Sequence, residues 1–85
     1  MESQRNVIFE ALTAEVIDSL PADRWAVARI TASLVQADPD RWPVLPGEVD
    51  LREGRFGCCR MTYTVKSGTV EIEGIGWVES HEVFR

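Results

Sequence analysis

The spacing of apolar positions changes along this chain, dividing it into a helical front and a stranded back. Val7, Ile8 and Phe9 are successive β-prone residues, so residues 6–11 predict a strand. From Leu12 to Leu20 the period lengthens. Leu12, Val16 and Leu20 recur every fourth residue with Ile17 beside them, the stripe of a short helix. Pro21 interrupts it. Proline suits the first turn of a helix and Asp23 complements the positive end of the helix dipole, so a second helix is expected from Pro21 to Gln36. Its apolar positions are Val27, Ile30 and Leu34. Asp38-Pro39 ends it, because a residue preceding proline avoids the α region.

A loop with three prolines follows from Ala37 to Gly47, which Trp42 and Leu45 should pin to the body of the protein. From Val49 onward the period is two. Cys59, Met61, Tyr63 and Val65 fall on one face of a strand and Cys58, Arg60, Thr62 and Thr64 on the other. The apolar set should meet the helices, leaving Arg60 on the open face. Val49 and Leu51 alternate with Asp50 and Arg52 in the preceding strand, and a hairpin between the two would let Arg52 share that open face. A tight turn at Lys66-Ser67-Gly68 leads into the last strand, where Val70 and Ile72 set one phase and Ile75 and Trp77 the other. A β-bulge at Glu73-Gly74 accounts for the slip and would redirect the tail beyond it. The expected architecture is α+β: an N-terminal strand, a helical hairpin, then an antiparallel three-stranded meander, with the helices on one face of the sheet.

Composition narrows the function more than the fold. Eighty-five residues, 45% hydrophobic and 27% charged, suit one small domain covering residues 1–85. No apolar run approaches the roughly 20 residues of a membrane span, and no signal peptide is read at the start, so a cytoplasmic protein without a membrane role is expected. The net charge is −5, which argues against binding nucleic acid over the whole surface. The basic residues are nevertheless concentrated. Arg52, Arg55, Arg60 and Lys66 lie within residues 51–66 beside one acid, Glu53. Such a patch can hold phosphate locally. Cys58 and Cys59 are too close in sequence for an unstrained disulfide and lack partners for a zinc site, so one should pack inward and the other face away. Trp25, Trp42 and Trp77 read as core or loop anchors. No metal or cofactor is implied.

Four pieces in order carry a resemblance across most of the chain: Leu20-Pro21 between the helices, Asp38-Pro39 after them, Leu45-Pro46-Gly47 before the meander, and Arg60-Met61-Thr62-Tyr63 within it. With the closing Glu82-Val83-Phe84-Arg85, these resemble the RelE/ParE superfamily of bacterial toxin–antitoxin toxins. The resemblance implies a cognate antitoxin partner and one of two targets. RelE-like members cleave messenger RNA on the ribosome; ParE-like members inhibit DNA gyrase.

On the RelE side, the resemblance implies a phosphate-contacting role for Arg60, further phosphate or RNA contacts from Arg52, Arg55 and Arg85, and His81 as proton donor. Chemistry of this kind needs charge stabilisation at phosphorus and a proton for the leaving oxygen. Two departures stand out. Phe84 occupies the position of the family's closing tyrosine, and residues 75–80 lack the usual arginine pair. A non-catalytic binder, ParE-like or retained for a protein contact, is therefore the alternative to an endoribonuclease.

Overall fold

The computed structural model describes residues 6–78. The chain runs β1 (Asn6–Phe9), α1 (Ala11–Asp18), α2 (Ala22–Ala37), a 3-10 turn (Pro39–Arg41), β2 (Arg52–Phe56), β3 (Cys59–Lys66) and β4 (Thr69–Trp77). The strands form one sheet in the order β1-β4-β3-β2. β2, β3 and β4 are the expected antiparallel meander, and β1 lies parallel to β4 at the edge. Both helices pack on one face, α1 over β4 and α2 over β2 and β3.

Local chemistry explains the boundaries. The Glu10 carboxylate caps α1, accepting from the backbone N–H groups of Leu12 at 3.0 Å and Thr13 at 3.2 Å. Pro21 is the N-cap of α2, and Asp38 closes it just before Pro39. Gly57 has φ +60° at the first position of the two-residue β2–β3 turn, and Ser67-Gly68 has φ of 51° and 81° in the β3–β4 turn. Left-handed geometry at such sites matches the twist of a hairpin.

The core holds Met61, Tyr63, Val70, Ile72, Val35 and Cys59, all fully buried. Three sequence expectations about packing change. In α1, Leu12 and Val16 are 67% and 46% exposed, and Thr13 and Ile17 are the buried pair. In α2 the inward stripe is Ala28, Thr31, Ala32 and Val35, one residue out of phase with Val27, Ile30 and Leu34. Small residues let α2 approach the sheet closely: a Cβ on Gly54 would lie 2.4 Å from a Val35 methyl. Bulkier side chains are pushed to the flanks. Val49 is exposed in the loop rather than in a strand, because β2 begins at Arg52.

The cysteines divide as expected, Cys58 exposed in the turn and Cys59 buried. Burial pushes the Cys59 thiol pKa up, opposed by a hydrogen bond with Thr31 and reinforced slightly by Cys58. Alkylation of the native protein should therefore modify one thiol quickly, and mass mapping should find the label on Cys58. Cys59 should react only after denaturant is added; rapid double labelling without denaturant would contradict this packing.

Candidate functional site

The bulge predicted in β4 is present. Thr62 pairs with Gly74 and Tyr63 with Ile72, leaving Glu73 as the extra residue. It keeps Ile72 and Ile75 on the helix side and turns Glu73 outward, where its carboxylate accepts from the Thr64 hydroxyl at 3.1 Å. The open face then has a defined order. Across the strands run Arg55, Arg60 and Gly76 in one row and Glu53, Thr62 and Gly74 in the next.

These two rows form a shallow depression of about 420 Å³ lined by Glu53, Arg60, Thr62, Gly74, Gly76 and the end of β4. Gly74 and Gly76 contribute only backbone to it, and the Thr62 hydroxyl lies over Gly74. Arg60 is exposed and makes no hydrogen bond or ion pair within the described residues. Arg55 lies beside it, with its Nε 3.4 Å from a Glu53 carboxylate oxygen. Glu53 is the better shielded of that pair, its side chain 18% exposed.

The register overturns the placement of Arg52 beside Arg60. A two-residue turn at Gly57-Cys58 pairs Arg55 with Arg60 and Arg52 with Tyr63, so Arg52 points to the helix side. There its guanidinium donates to the Trp42 carbonyl and sits 3.8 Å from Asp40. Arg52 thus lies on the face opposite Arg60, where it clamps the proline loop. His81, Phe84 and Arg85 lie outside the described residues, as does the redirected tail.

Trp42 pins the loop over Gly54 as expected, and Trp77 is partly buried beneath the Arg24 guanidinium, 4.9 Å from its ring centre. Trp25 departs from the expected role. It is 41% exposed beside Arg29, at the rim of a groove of about 370 Å³ formed by β1, α1 and α2.

Electrostatically the open face is mixed. Arg55, Arg60 and Lys66 share it with Glu53, Glu71 and Glu73, so the sequence cluster of cations does not become an unopposed basic patch. Sequence reasoning missed Glu53 as a member of the site. The signal was Gly57: a glycine at the first position of a two-residue turn fixes the register that brings Glu53 level with Thr62.

Arginine offers a planar fork of donors suited to phosphate, and a carboxylate nearby can accept a proton. The depression can therefore hold a phosphoester and deprotonate a neighbouring hydroxyl. No protein-family model matches the sequence, and no curated protein matches it significantly. Solved structures do match. The RelBE2 toxin–antitoxin complex of Mycobacterium tuberculosis aligns with a TM-score of 0.78 at 21% identity, over 89% of this chain and 100% of that one. The chain has the RelE fold. The isolated Escherichia coli RelE toxin aligns with a TM-score of 0.75 at 19% identity, over 94% and 90% of the two chains. A RelE–RelB complex from Pyrococcus horikoshii gives 0.68 at 17% identity, over 88% and 96%. The RelE fold thus accounts for the helices, the meander and the open face together.

Proposed function

We propose that this chain is the toxin of a toxin–antitoxin module and cleaves messenger RNA on the ribosome. The observation that carries the reading is Arg60, without an ion pair or hydrogen bond among the described residues, in a depression on the open face of a RelE fold. Arg60 holds the scissile phosphate and offsets the charge that builds on it. Glu53 takes the proton from the 2′-hydroxyl as that oxygen bonds to phosphorus. The bond to the 5′-oxygen then breaks, and His81 supplies the proton that this leaving group takes.

The partner is an antitoxin, as in the RelE–RelB complexes that share the fold. Exposed apolar side chains at Leu12, Trp25 and Ile30 give a wrapping partner surface to cover. The mixed charge of the open face favours a second reading, a non-catalytic binder such as a ParE-like gyrase inhibitor. The two readings separate when the chain is induced in cells and the 5′ ends of transcripts are mapped. A nuclease leaves new ends within translated regions in the first minutes. A binder arrests growth with its transcripts intact, and that outcome would remove the nuclease reading.

A further inference from the structure

The six glycines of this chain do not all have the same reason to be glycine. Gly47, Gly57 and Gly68 sit at positive φ, where other residues are strained. Gly54 and Gly74 have no room for a side chain, since a Cβ would meet a Val35 methyl at 2.4 Å or the Thr62 hydroxyl at 2.6 Å. Gly76 has neither reason. It lies within β4 at an ordinary φ, and a Cβ there would have no atom of the described residues within 4 Å.

Glycine inside a strand weakens it, so a β-branched residue at this position would favour the fold. The retained vacancy lies in the depression, directly across from Arg60. We propose that Gly76 is a substrate-approach residue: a single-stranded RNA crosses the sheet here with its sugar and base against the bare β4 backbone. Its phosphate then lies over Arg60. A side chain at 76 would lift the strand off the floor and away from the guanidinium.

The inference rests on the nuclease reading, and the test keeps the two apart. The parent, Gly76→Val, Gly76→Ala and Arg60→Ala are compared in a translating extract programmed with one reporter messenger RNA. Each purified chain is also melted. Gly76→Val should lose at least about 100-fold in cleavage, the scale set by misplacing a reacting group by about an ångström. Its melting temperature should rise by about 4 °C, the opposite sign from a structural defect. Gly76→Ala should fall between it and the parent in cleavage.

If Arg60→Ala is inactive while Gly76→Val cleaves as the parent does, the inference is overturned and the nuclease reading stands. A Gly76→Val chain that loses both activity and stability also overturns it, because the glycine would then be structural. If Arg60→Ala cleaves as the parent does, Arg60 does not hold the phosphate and this inference falls while cleavage stands; if the parent leaves the message whole, the nuclease reading itself fails and takes this inference with it.

Discussion

Replacing Arg60 with alanine abolishes growth arrest and lowers transcript cleavage by about 100- to 1,000-fold, the effect of removing one preorganised donor from a developing anion. The melting temperature stays within about 4 °C of the parent, because exposed substitutions away from packing features usually change stability by no more than about 0.5 kcal/mol. Among the described residues Arg60 supports no packing: it is exposed and makes no ion pair there. Arg52 provides the contrast. Its guanidinium is spent on the Trp42 carbonyl and Asp40, so its removal should loosen the loop before it touches chemistry. An Arg60→Ala chain as toxic as its parent would remove the phosphate-binding assignment.

The largest loss of stability is expected at Tyr63. It is fully buried beneath α2, and its hydroxyl donates to the Pro39 carbonyl, tying the sheet to the turn after the helix. Truncating a buried aromatic side chain to alanine costs about 3–5 kcal/mol. A chain of 85 residues has about 4–13 kcal/mol in total at about 0.05–0.15 kcal/mol per residue. Tyr63→Ala should therefore be largely unfolded at 37 °C by circular dichroism. A cooperative melt near the parent's temperature would contradict this view of the core.

Tyr63→Phe keeps the packing, loses the hydrogen bond and should cost only about 1–3 kcal/mol. It also has a pH signature. Burial, opposed by Arg52 and helped by Asp40 and Asp38, pushes the Tyr63 pKa up to about 12 from its usual 10. The folded state thus holds a proton that the unfolded state releases. Stability is fully present below pH 10 and falls as pH rises from 10 to 12, by about 2–3 kcal/mol for two pKa units. Urea midpoints across that interval should drop in the parent and stay flatter in Tyr63→Phe. Parallel losses in both chains would assign the alkaline weakness to other groups.

How much of this was legible in the sequence depended on what set each feature. The alternation through Met61, Tyr63 and Val65 gave the buried face of β3 and put Arg60 outside, because period two leaves no freedom once one face is apolar. The bulge was legible for the same reason, as a broken alternation between Ile72 and Ile75 with a glycine at the break. The helices were less so. Their stripe was read from large apolar residues, whereas close approach to the sheet selected Ala28, Thr31 and Ala32 and displaced Leu12 and Ile30 to the surface. The face of Arg52 depends on the turn: one residue of loop length exchanges the faces of an entire strand, and the two-residue Gly57-Cys58 turn sets Arg52 opposite Tyr63. The same register brings Glu53, the single acid among the arginines of residues 51–66, level with Thr62 on the open face.

The proposed ribosome-directed nuclease works through the open face around Arg60. Purified parent and Arg60→Ala chains, each added to ribosomes programmed with a labelled messenger RNA, test it most directly. The parent should cut the message only when ribosomes are present, and Arg60→Ala should leave it whole. Intact message with the parent, or equal cleavage by both chains, would contradict the account.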